Sequence, residues 1–141
     1  MNETISLVGE VEIKLNDVVV VSKKNLIVQV GKNFLANAIL NTSSTPFNCI
    51  AVGRGTTPAV ISDTALQTET LRTSFDSATI ANNIITLVKN YLPGVATGSI
   101  SEAGIFNNAV SGGTMLSHIV FTTIGKQDQD RLLFTWTITV G

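Results

Sequence analysis

In 141 residues the chain has one cysteine, one histidine, one tryptophan and one tyrosine. With Cys49 alone there is no internal disulfide framework and no cysteine-based metal cluster. With His118 alone, a common zinc site would need several carboxylates to complete its ligand set. Charge is scarce too. Charged residues make up 13% of the chain and the net charge is −1, so no cluster of Lys and Arg is set out to neutralise phosphates, and a nucleic-acid partner is not expected. No strictly apolar run exceeds the four residues Val18–Val21, far short of the roughly 20 that span a bilayer as a helix, so no membrane partner is expected either. The N-terminus has no basic region followed by an apolar stretch, so no secretory leader is expected. That leaves the glycosylation sequons Asn2-Glu-Thr4 and Asn41-Thr-Ser43 without a route to use.

What the chain does have is apolar content, at 44%, and alternation. A single domain over 1–141 is expected, and a chain of this size buries about two-thirds of its unfolded surface. Leu7, Gly9, Val11, Ile13 and Leu15 share one parity against Glu10, Glu12 and Lys14, the pattern of a half-buried strand. Asn16-Asp17 reads as a turn into a second strand, Val18–Val21. Lys23-Lys24-Asn25 reads as a polar break before a strand over Leu26–Val30. Phe34, Leu35, Ala38 and Ile39 predict one helix over Gly31–Leu40. Strands are predicted over Phe47–Val52, Leu71–Ala78, Asn83–Leu92, Gly98–Phe106 and Met115–Thr122. Ile84–Val88, apolar on both parities, predicts a strand covered on both faces. Leu132, Phe134, Trp136, Ile138 and Val140 alternate with threonines in the last strand. Thr42–Pro46 and Gly125–Asp130 read as exposed loops. The expected architecture is mainly β, an antiparallel β-sandwich with one short α-helix.

The polar residues suggest little chemistry. Gly53-Arg54-Gly55 invites a nucleotide-loop reading, but the third-glycine position is Pro58 and no Gly-Lys-Ser/Thr follows, so it reads as a strand-ending turn whose glycines let the backbone bend sharply. His118 sits in an apolar strand with no nucleophile and acid set out around it, and reads as a packed or rim histidine. Glu69, Asp76 and Glu102 are candidates for a glycosidase acid pair, a reading weakened by the few aromatics. No enzyme activity and no cofactor are expected. The long loop from Gly53 to Arg72 holds the best interaction candidates: Arg54, Thr56, Thr57, Asp63, Glu69 and Arg72. Arg54 reads as projecting its donors towards a carboxylate on a neighbouring subunit. Arg72 reads as an internal anchor on Glu69 or Asp63. Ser62-Asp63 reads as the cap of a short helical turn through Leu66 and Gln67. Glu102 reads as pairing with Arg72 or Arg54 across a hairpin.

Several of these pieces occur in a set order: Ile50-Ala-Val-Gly53-Arg-Gly55, then Asp63-Thr-Ala-Leu66, Glu69 and Arg72, then Ile100-Ser-Glu102-Ala-Gly104-Ile-Phe106, a Gly-Gly turn and Thr114-Met-Leu116. Over residues 25–121 the chain resembles the tail-collar fibre family of tailed-bacteriophage virion proteins. It differs in the added strands of Leu7–Val21, and in Arg54, where that pattern often carries a small or acidic residue. The resemblance implies a structural component of the virion, in its tail or fibre region, assembled in the bacterial host cytoplasm and docked on another virion protein of tail, baseplate or capsid. It also implies a homo-oligomer, with three-fold symmetry expected from fibre and decoration proteins. A capsid decoration protein is the alternative within the class, and a host-glycan-binding module the alternative outside it.

Overall fold

The computed structural model describes residues 4–41 and 45–141. Its nine strands form a mainly antiparallel β fold with one helix. They are β1 (Leu7–Leu15), β2 (Val18–Ile27), β3 (Cys49–Gly53), β4 (Glu69–Ser74), β5 (Ser77–Ala81), β6 (Ile84–Tyr91), β7 (Gly98–Phe106), β8 (Met115–Lys126) and β9 (Leu132–Val140), with α1 (Gln29–Leu40) between β2 and β3. The sheet order is β4-β3-β7-β8-β2-β1-β9-β6-β5, and every neighbouring pair is antiparallel. The sheet curls into a half-barrel whose two halves face each other across the main core, a sandwich-like arrangement. No described helix is long and apolar enough to cross a membrane.

The first hairpin follows its sequence closely. Asn16 and Asp17 both take positive φ, 47° and 69°, which short polar side chains tolerate. Val11 and Ile13 are buried on the core side. β2 does not break at Lys23-Lys24-Asn25. It runs through them to Ile27, and α1 begins at Gln29 where a strand over Leu26–Val30 was expected. The strand survives its polar triad because Lys23 and Lys24 lie at the surface while the Asn25 side chain turns inward, its Oδ1 accepting the Trp136 indole N–H at 3.2 Å. Gly9 on β1 leaves the space for that amide.

β9 shows the expected alternation. Leu132, Phe134, Trp136 and Ile138 are buried, with the threonines between them half-buried. Tyr91 and Phe121 meet Phe134 edge-on, with ring centroids 5.7 and 6.4 Å away. β6 differs from expectation. Only Leu87 of Ile84–Val88 is buried and Ile84 is exposed, because β6 has only the edge strand β5 outside it. The single strand expected over Leu71–Ala78 is two. The chain leaves one sheet edge as β4 and joins the other as β5 after only Phe75 and Asp76. Phe75 is buried in the core at this corner, and the Asp76 carboxylate accepts the Asn90 N–H and Lys89 Nζ.

β8 runs to Lys126, so the exposed turn is shorter than Gly125–Asp130. It is closed by the Gln127 N–H donating to Asp130 Oδ2. Of the loop expected over Thr42–Pro46, Thr42–Ser44 lie outside the described residues.

Candidate functional site

β7 is central in its half of the sheet and is buried along both faces from Ile100 to Phe106. Ile100, Ala103 and Ile105 belong to the main core. The opposite face carries Glu102, Gly104 and Phe106, with Cys49 and Ala51 from β3 and His118 from β8 in register beside them. A second, smaller apolar cluster forms there from Val28, Cys49, Ala51, Leu66, Phe106 and Met115. Its cover is the segment from Arg54 to Thr68, which has no regular secondary structure.

A loop without its own ladder must satisfy its backbone elsewhere. Here much of that task falls to one carboxylate. Glu102, fully buried, accepts the backbone N–H groups of Gly55 at 2.7 Å, Thr68 at 2.8 Å and Gln67 at 2.9 Å. Its Oε1 also lies 2.9 Å from His118 Nε2. On the other side of the ring, His118 Nδ1 lies 2.8 Å from Asp63 Oδ2, and that same oxygen accepts the Val60 N–H at 2.9 Å. Asp63, His118 and Glu102 thus form a chain from the outer loop to the sheet. Each ring nitrogen of His118 has a carboxylate oxygen within hydrogen-bond distance. The Ser101 hydroxyl donates to the Gly55 carbonyl at 2.7 Å, and the Gln67 side-chain amide brackets Thr57, accepting its N–H at 2.9 Å and donating to its carbonyl.

This lock explains the glycines. Neither Gly53 nor Gly55 has positive φ, so the sharp-turn reading of Gly-x-Gly is corrected. A Cβ on Gly55 would sit 2.4 Å from Glu102 Oε2, and one on Gly53 would sit 2.9 Å from the same atom. The residues are glycine so that the loop can close onto the carboxylate. Gly104 leaves room in the same way for Leu66 and the Ser117 carbonyl.

The structure sorts the sequence candidates into three groups. Glu102 and Asp63 are in the lock, and two expectations change with them. Glu102 pairs with His118 and backbone amides, not with Arg72 or Arg54: Arg72 shares its face but is spent on Glu69 and the β7–β8 loop, and Arg54 lies on the exposed outer side of the loop. Asp63 caps no helical turn. The segment through Leu66 and Gln67 is irregular, and the Asp63 carboxylate is spent on Val60 and His118. Glu69 and Arg72 form the second group. Arg72 is the internal anchor, donating to Glu69 through Nε at 3.2 Å and Nη2 at 2.7 Å. Its Nη1 reaches the carbonyls of Asn108 and Gly112 in the β7–β8 loop, and its guanidinium lies 3.8 Å from the centre of the Phe106 ring. Arg54, Thr56 and Thr57 form the third group, on the exposed outer side of the loop. The Arg54 side chain makes no hydrogen bond or ion pair with a described residue. It borders a cavity of about 440 Å³ with Thr70, Leu71, Thr97 and Ser99.

Sequence reasoning missed His118 and Gln67 as members of the site. The available signal was one acid and one histidine, each in an otherwise apolar strand. Chemically the cluster offers little. Both nitrogens of His118 face carboxylates and the ring is fully buried. The two carboxylates sit on opposite sides of the ring, and among the described residues no group of His, Cys, Asp and Glu converges on a metal position. The third acid of the glycosidase reading, Asp76, lies at the β4–β5 corner, tied to Lys89 and Asn90. No family model, no characterised protein and no solved structure matches the chain.

Proposed function

We propose that this chain is a structural protein of a tailed-phage particle, in the tail or fibre region, which self-associates and docks onto another virion protein. The observation that carries this reading is the lock. The three separated motifs behind the resemblance meet in one place, where Glu102 joins the Gly-x-Gly segment, the stretch after it and His118. Their shared task is to hold a long loop flat on the sheet while its outer side, with Arg54, Thr56 and Thr57, faces solvent. A rigidly held, outward-facing loop is what a docking surface needs, because little ordering entropy remains to be lost on contact. The exposed apolar side chains of Ile39, Leu40 and Val110, in a chain poor in charge, also fit a protein that works inside an assembly.

The glycan-binding reading loses support from the burial of Trp136 and Tyr91, which leaves neither ring at the surface to stack on a sugar. The test is the composition of purified particles from the phage that encodes the chain. Antibody labelling and mass spectrometry are expected to find it in stoichiometric amount at the tail. Labelling over the capsid would favour the decoration protein, and absence from the particle would overturn the proposal.

A further inference from the structure

The sheet is open at both ends, and its two edges differ. β4 carries Glu69 and Arg72, whose side chains tie it to the β7–β8 loop. β5, Ser77-Ala-Thr-Ile-Ala81, has no charge and no proline, and all five of its residues are exposed. Edge strands normally carry a device against pairing with another chain, such as a lysine, a proline, a bulge or a covering loop. β5 has none of these in its sequence. Its register with β6 is unbroken from Ser77 opposite Val88 to Ala81 opposite Ile84. Ile80 adds a second observation. It stands beside Ile85, which stands beside Ile138, so the three form a row on the core side of the sheet. That row runs from full burial at Ile138 to 76% exposure at Ile80. The core layer therefore reaches the sheet edge uncovered.

We propose that β5 pairs edge to edge with β5 of a second copy of this chain, antiparallel about a two-fold axis at Thr79. The register of β5 favours self-pairing. The hairpin closes at Ala81 opposite Ile84 through the two residues Asn82-Asn83. The alternation of an antiparallel ladder then leaves the N–H and C=O of Ala78 and Ile80 pointing away from β6. Centred on Thr79, Ala78 falls opposite Ile80 of the second copy, and Ile80 opposite its Ala78. Those outward groups are then the ones that bond. A small residue faces a large one at both positions, and Thr79 faces its own copy. Continued one step, the register sets Asp76 opposite Asn82 of the second copy, so no like charges meet. The contact joins two sheets into one and extends the Ile138–Ile85–Ile80 row across the axis. It implies a two-fold state where the resemblance led to an expectation of a three-fold one. It stands independently of the virion reading, which particle composition decides.

A contact one short strand long is weak on its own, with a dissociation constant on the order of 100 µM, and gains strength when many copies are held together. The experiment is sedimentation of the full chain up to millimolar concentration, with two edge variants. Wild type is expected to show a monomer–dimer equilibrium. Ile80→Lys and Ala78→Pro are each expected to weaken it at least tenfold with melting unchanged, since the proline removes an N–H that bonds nothing within the subunit. Thr79→Cys gives a direct reading of register, because facing residues in a non-hydrogen-bonded pair lie close enough for a disulfide. Mild oxidation is expected to link Thr79→Cys into dimers at least tenfold faster than Ser77→Cys, while the buried Cys49 does not compete. The proposal is overturned by a chain that stays monomeric throughout, by an oligomer that both edge variants leave intact, or by equal oxidation of the two cysteine variants.

Discussion

Replacing Glu102 with glutamine tests the lock with almost no change in shape. Each carboxylate oxygen has two donors on it: Gly55 and Thr68 on Oε2, Gln67 and His118 on Oε1. An amide offers one oxygen and one NH₂; with its oxygen kept on Gly55 and Thr68, its NH₂ faces the Gln67 N–H, which loses its acceptor, and His118 Nε2, which accepts when the ring hydrogen sits on Nδ1 towards Asp63. A hydrogen bond to a charged group contributes about 1.5–3 kcal/mol. One is lost and the others weaken with the charge, and part of that returns as the loop lifts and its amides find water. The expected net loss is about 2–3 kcal/mol, a fall of about 8 °C in melting temperature for a domain this size. Guanidinium unfolding gives the magnitude. Hydrogen exchange gives the location: the amides of Gly55, Gln67 and Thr68 should lose protection while those of β9 keep theirs relative to global unfolding. A loss below about 1 kcal/mol with these three amides still protected would refute the idea that Glu102 holds the loop.

Arg72→Ala should lower stability by about 2–4 kcal/mol, since it removes a two-pronged ion pair, two carbonyl contacts and a ring contact at once, and Arg72→Lys should not restore it, because an ammonium cannot reproduce the fork. Arg54→Ala should leave the melting curve unchanged and weaken only assembly; the two variants measured side by side separate anchor from docking residue. Trp136→Ala should cost about 3–5 kcal/mol in chemical unfolding, since a fully buried ring and its bond to Asn25 both go. The Asn90 N–H, followed by Lys89, holds the Asp76 carboxyl below the usual carboxylate range. Its contribution is therefore present above the ordinary value of about 3.9 and is lost as pH falls through its lower folded value. Urea titrations between pH 7 and 3 should show a shallower acid loss for Asp76→Asn.

Where one face of a strand meets water and the other meets the core, the sequence states the structure openly. β1 and β9 were legible for that reason, and Asn16-Asp17 announced the turn that ends β1. β2 was not, because Lys23-Lys24-Asn25 resembles a loop until Trp136 is seen to need the Asn25 oxygen. Ile84–Val88 misled in the other direction: its apolar content suits a central strand, yet it lies one strand from an edge. The candidate site was legible as a list of residues, since Gly53, Gly55, Asp63 and Glu102 all stood out. Its wiring was hidden by register. Pairing between β7 and β8 shifts between Ile100 and Glu102 and again between Ile105 and Phe106, so alternation counted from either end does not show that Glu102 and His118 share a face.

The position of β9 bears on how this chain is made. It is the last of the nine strands to leave the ribosome, yet it lies between β1, the first, and β6. Leu7 pairs with Val140, and the Ser6 carbonyl accepts the N–H of Gly141 at 2.8 Å. Until β9 emerges, β1 and β6 each lack a neighbour and the side chains that Trp136 and Phe134 will cover stay wet. Such distant pairing slows folding, since a long loop must close before any contact rewards it. The core therefore stays unassembled until residues 132–140 are made, and until then the unpaired edges of β1 and β6 leave the nascent chain open to association with its neighbours.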